Sequence, residues 1–158
     1  MLKAFQTLSL QAEGRYANDS ELQFAVDYAN SYKMRVSLYQ KLQALEQEFI
    51  EDVHQQLMAS DPTLFRAGQK DLIGKWKRDT MRVFKYSALA LLLDDAEIHG
   101  ERFLAWFQTI MRAFNAQRSC EATYTAMQKV AQEKLSQFEF ALFSPILELN
   151  RVSLGSQP

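Results

Sequence analysis

Asp79 is the residue of this chain with the most chemistry at stake. It closes the run Trp76-Lys77-Arg78-Asp79 in a segment of helical periodicity, Leu72 to Leu92, and falls on the apolar stripe of Ile73, Trp76, Val83, Tyr86 and Ala90. A carboxylate on a core-facing stripe needs hydrogen-bond donors, because an unpaired buried charge costs several kcal/mol or is neutralised by a shifted pKa. Two sources of donors are open for Arg78 and Asp79: a ligand, or an ion-pair or capping network between helices. The basic row Lys75, Arg78, Arg82 and Lys85 is either a solvated helix face or a pair of carboxylate clamps. Trp76 either fills core space or stacks on a ligand.

The other reactive residue types are sparse. His54 lies among Glu51, Asp52 and Gln55 on an expected polar face, and His99 stands at a helix start beside Gly100. Neither suits the proximal position of a haem, which needs a histidine facing the pocket. Cys120 is the only thiol, so no internal disulfide forms, and a reducing cytoplasm is expected. There is no Cys/His metal spacing, nucleophile–base pair or glycine-rich phosphate loop. The expectation is therefore no enzyme, no catalytic residue and no metal.

These residues must be positioned by helices, since strand alternation is nowhere convincing. A short first helix is predicted over Lys3 to Ala12, ending near Gly14. Asn18 with Glu21 forms a capping box that opens a second helix, running with little break into a stripe of Leu38, Leu42, Leu45, Phe49, Val53 and Leu57. Ser60-Asp61-Pro62 stops it and restarts the chain. Asp94 with Glu97 predicts the start of a helix carrying Leu104, Phe107, Met111 and Phe114, and Asn115 to Ser119 reads as a turn. A last helix carries Tyr124, Met127, Ala131, Phe138 and Leu142, with an interruption expected at Ser144-Pro145. The tail Gly155 to Pro158 should fray. The fold class is all-α: one domain over 1–158, with an N-terminal helical arm (1–32) and a body (33–150).

Composition agrees with one globular domain: 158 residues, 47% apolar and 23% charged. A net charge of −1 leaves no electrostatic footprint for nucleic acid, and the longest apolar run is too short to insert into a membrane. No basic-then-apolar leader is visible, so secretion is not expected.

Two motifs then carry a resemblance. Ala12-Glu13-Gly14-Arg15-Tyr16, followed by Ser20-Glu21-Leu22-Gln23, resembles the N-terminal signature of phycobiliprotein subunits. Lys75-Trp76-Lys77-Arg78-Asp79 resembles their bilin-attachment segment, Lys-x-Cys-x-Arg-Asp or close variants. Order and spacing agree over most of the chain. The resemblance implies a globin-like body preceded by two short helices forming an arm.

It also implies roles. Arg78 and Asp79 match the arginine that pairs with bilin propionates and the aspartate that accepts pyrrole N–H bonds, with Arg82 and Lys75 as further basic contacts. Trp76 stands where the attachment cysteine belongs, and Cys120 lies elsewhere in the sequence, so no covalent cofactor is expected; a bilin would be held by contacts alone. The arm residues Phe5, Arg15, Tyr16, Leu22 and Tyr28 match the subunit contact, which implies a homodimer or a phycobilisome-related partner. The pattern is most similar to non-antenna homologues such as bilin-biosynthesis-associated globins, in the cytoplasm or on phycobilisomes at the thylakoid surface. The alternatives are a ligand-free helical dimerisation module and a haem-binding sensor globin.

Overall fold

The computed structural model describes residues 1–67 and 70–155, and nearly all of them are helical. Helix α1 spans Leu2–Gln11 and buries none of its residues. Gly14 then takes a left-handed turn, φ 75°, a conformation that glycine adopts without Cβ strain. Helix α2 runs 42 residues, Asp19–Ser60, from the expected capping box: Asn18 Oδ1 accepts from the Glu21 N–H, and the Glu21 carboxylate accepts from the Asn18 N–H. It passes through residues 32 and 33 without a break, so no change of element falls at the expected boundary between arm and body. The first buried residue of α2 is Arg35, followed by Leu38, Leu42, Phe49, Ile50, Val53 and Leu57 at helical spacing.

Arg35 and Tyr28 tie this boundary to the far end of α3 (Ile73–Leu93). The Arg35 guanidinium donates to the Leu91 carbonyl at 2.7 Å and pairs with Asp94 at 2.8 Å, and the Tyr28 hydroxyl donates to the Leu92 carbonyl at 2.9 Å. They satisfy carbonyls that the last turn of a helix leaves open and place positive charge at the negative end of its dipole. This arrangement corrects the expected cap at Asp94. Asp94 ends α3 in a left-handed conformation, φ 49°, and Asp95 caps the next helix by accepting from the Ile98 N–H. Aspartate tolerates that backbone region, and the Arg35 pair holds it there.

After Asp61, which caps as expected, Pro62–Phe65 forms a 3-10 turn. A two-residue hairpin follows, β1 (Arg66–Ala67) against β2 (Lys70–Asp71), an element the strand-free reading did not anticipate. Beyond α3 come α4 (Ala96–Ile98), a π-helical stretch His99–Leu104, and α5 (Ala105–Ala113). The turn that follows is shorter than expected, with Asn115 at φ 51° and α6 starting already at Gln117.

The last expected helix is in fact two, α6 (Gln117–Lys134) and α7 (Gln137–Gly155), and the break is not at proline. Pro145 sits inside α7, where buried Phe143, Ile146 and Leu147 hold the turn despite one missing N–H. The break falls at Leu135-Ser136, where Ser136 and Glu139 cap each other reciprocally. Gly155 is buried at the end of α7; the rest of the tail expected to fray lies outside the described residues. Helices α6 and α7 pack most extensively, and α2 lies against both α3 and α6. No helix among the described residues is long and apolar enough to cross a membrane.

Candidate functional site

Helical spacing places Trp76 and Lys75 at i−3 and i−4 from Asp79, on one face of α3. That face looks into a cavity of about 540 Å³ closed by the 3-10 turn, β1, α5, the α5–α6 turn and α6. The volume lies within the ~300–1,000 Å³ of small-molecule pockets. Its inner wall is buried: Thr80, Phe107, Met111, Cys120, Thr123 and Tyr124. Asp79 is half-buried on this wall, and among the described residues it makes no hydrogen bond or ion pair. No described residue supplies the pairing considered for it, and its side chain lines the cavity.

Trp76 spans one side of the space. Its indole N–H donates to Thr123 Oγ1 at 2.9 Å, linking α3 to α6, and its ring meets Phe65 edge-on at 5.2 Å. Behind it stands His54, 5.8 Å away and also edge-on to Phe65 at 5.1 Å. The expectation of a polar face for His54 is corrected: the ring is mostly covered, Nδ1 lies 3.4 Å from Glu51, and Nε2 has no partner. The signal was present in the sequence, since Ile50 and Leu57 flank His54 at i−4 and i+3 and both are buried.

Of the five residues expected at the ligand, the cavity gathers Trp76, Lys75 and Asp79. Arg78 and Arg82, four residues apart, sit on the neighbouring face of α3, exposed, outside the lining and without an ion pair among the described residues. Lys75 places its ammonium 3.9 Å from the centroid of the exposed Phe114 ring.

Cys120 requires a correction of place: it lines the same cavity as Trp76 and Asp79, because α6 folds back alongside α3. Its thiol is pushed up to about 12, by burial first and then by the charge of Asp79. It is therefore protonated at neutral pH and a poor nucleophile. The Tyr124 hydroxyl, buried beside it, is raised well above its ordinary value by burial first, then by Cys120 and Asp79.

His99 is buried in the π-helical stretch. Its Nε2 lies 2.8 Å from Asn150 Oδ1, Asn150 Nδ2 donates to Ser87 Oγ at 2.8 Å, and Ser87 donates to the Val83 carbonyl. Burial lowers its pKa, against a smaller raising effect of Asn150. Neither histidine lines the cavity, so no axial ligand for a haem is offered there.

The model of the phycobilisome protein family matches residues 7–153, nearly the whole chain. The chain belongs to the phycobilisome protein family. Its all-α, globin-like architecture is that of a phycobiliprotein relative. No curated protein matches the chain. Phycobiliproteins bind bilins, often covalently; in this family member, the cavity beside Asp79 has an indole where the resemblance places the thioether.

The arm residues separate into two groups. Tyr16 is 98% exposed, and Phe5 and Leu22 are also exposed. Arg15 pairs with Glu21 at 2.6 Å, and with the Asn18 N–H this holds the Glu21 carboxyl down at about 2. Tyr28 instead turns toward its own body through Leu92, and Phe5 stacks edge-on against Phe24 at 4.9 Å. Sequence reading missed Arg66, Arg118 and Thr123 in the cavity wall and Arg35 at the arm–body joint. Arg35 had one signal: it lies three residues before Leu38 on the apolar stripe of α2.

Proposed function

We propose that this phycobilisome-family protein is an accessory or regulatory member that does not harvest light. It works by contact with a phycobilisome-related protein and holds an open-chain tetrapyrrole without a covalent bond. The observation that carries this reading is the cavity itself: Asp79, a carboxylate with no partner among the described residues, faces a largely apolar chamber that Trp76 and a protonated Cys120 leave without an anchor. The donor set fits the group, because a bilin presents convergent pyrrole N–H groups, which a carboxylate without protein donors accepts. When bound, the pigment would supply visible absorption. Asp79 would accept its N–H groups, Trp76 would close one side, and Lys75 would offer charge at the opening.

The site residues have no nucleophile paired with a base, so the reading is non-enzymatic. Location follows from it: cytoplasmic, at phycobilisomes on the thylakoid surface.

The test is an absorbance titration with biliverdin. A red-shifted band should grow to one equivalent and weaken at least ten-fold in affinity in Asp79→Ala, since hydrogen bonds to a charged group contribute about 1.5–3 kcal/mol. A spectrum identical to free biliverdin would end the pigment half of the proposal. A second reading, ligand-free dimerisation through the arm, is favoured by the exposure of Phe5, Tyr16 and Leu22. It predicts a dimer by light scattering that is lost when residues 1–32 are removed; a monomer at high concentration would remove it.

A further inference from the structure

Three stacked rings lead from the cavity to the protein surface. Phe107 on α5 belongs to the buried cavity wall, whereas Phe103, one turn earlier in the π-helical stretch, is not part of the lining. The two rings lie nearly parallel, 16° apart in plane with centroids at 5.4 Å. Phe103 in turn stacks on Tyr86 of α3, at 4.1 Å and 19°. Its buried neighbour is His99, 5.7 Å away and at 16°, which the 2.8 Å contact with Asn150 fixes in place. Tyr86 ends the column at the surface, 45% exposed and outside the cavity lining. Its hydroxyl makes no hydrogen bond among the described residues, so the ring is what it contributes.

Phe107 has the cavity on one side, so its position is set from behind, by Phe103. Phe103 is set by His99 on the inside and by Tyr86 on the outside. Stacked rings attract beyond the area they bury, and in a close-packed interior a shift of one ring is passed to the next. The backbone that carries Phe103 is π-helical, a rare geometry that occurs mostly as single turns and often at functional sites. We propose that Tyr86 is a positioning residue for the cavity: through Phe103 it holds the Phe107 wall in place, so the affinity of the cavity for its ligand is set in part from the surface. This rests on the tetrapyrrole reading and deepens it, joining the pigment site to a ring that lies outside it. By reciprocity, a ligand that presses on Phe107 also steadies Tyr86.

The experiment is a biliverdin absorbance titration of the wild-type chain and of variants along the column. Tyr86→Ala should weaken binding about five-fold, and Tyr86→Phe, which keeps the ring, should match the wild type. Leu89→Ala is the control, because Leu89 lies on the same helix, is 41% exposed and stands outside the column; its affinity should be that of the wild type. Phe107→Leu should weaken binding by itself, and adding Tyr86→Ala to it should bring no further loss, since the column is already broken. Wild-type affinity in Tyr86→Ala would overturn the proposal and leave the tetrapyrrole reading standing. So would an equal loss in Leu89→Ala, the mark of a general loosening of α3, or additive losses in Tyr86→Ala/Phe107→Leu. Absence of biliverdin binding by the wild-type chain would overturn the reading itself, and the role of Tyr86 with it.

Discussion

Replacing Trp76 with alanine tests whether the indole is a structural bridge between α3 and α6. Removing a fully buried large aromatic costs about 3–5 kcal/mol. Trp76 is half-buried, with Phe65 and His54 as its ring neighbours, so about 2 kcal/mol is assigned to lost packing. The 2.9 Å bond to Thr123 adds about 1 kcal/mol, because the buried hydroxyl loses its donor. The expected loss is about 3 kcal/mol, a fall of roughly 9 °C in Tm for a chain of this size. Urea denaturation followed by far-ultraviolet circular dichroism reads it directly. Thr123→Val isolates the hydrogen bond, and the double variant should show a coupling of about 1 kcal/mol. A loss below about 1 kcal/mol for Trp76→Ala, with no coupling to Thr123, would refute the bridge.

Three further outcomes follow from other parts of the structure. Asn150→Ala takes from Ser87 Oγ the N–H it accepts, leaving only its bond to the Val83 carbonyl, takes from His99 Nε2 its partner, and should cost about 3 kcal/mol in the same denaturation assay. His99 is a base whose folded pKa is lowered, so the unfolded chain binds the extra proton; stability is complete above the ordinary histidine value and declines as pH falls below it. Urea midpoints measured between pH 7 and 5 should show this slope, and His99→Gln should flatten it. Gly155→Ala would bring a Cβ to 3.0 Å from Glu121 Cα, a tight contact with backbone, and should destabilise the fold by about 1–3 kcal/mol, read as a lower thermal midpoint.

How much was legible in the residues depended on the range of the interaction. The α2 capping box is local chemistry of four residues and formed as written at Asn18 and Glu21. The Ser136–Glu139 box is equally local, whereas the interruption was expected at Ser144-Pro145; buried packing around the proline keeps α7 whole there. The α3 face joining Lys75, Trp76 and Asp79 was readable from helical spacing alone. What was not readable is which residues from distant elements complete the wall. Thr123 and Cys120 lie more than forty positions from Trp76, and only the return of α6 alongside α3 brings them there. Asp94 shows the same limit: its propensity marks a helix start, but Arg35, far away in sequence, makes it an end.

The central claim is that the cavity beside Asp79 holds an open-chain tetrapyrrole in one defined setting without a covalent bond. Free biliverdin is an equal mixture of two helical hands and has no net circular dichroism in the visible range. Its visible circular dichroism with one equivalent of the wild-type chain is therefore the most direct measurement. The account predicts an induced signal that disappears on denaturation, with the pigment separating from the chain. A flat visible spectrum at saturating protein would contradict it.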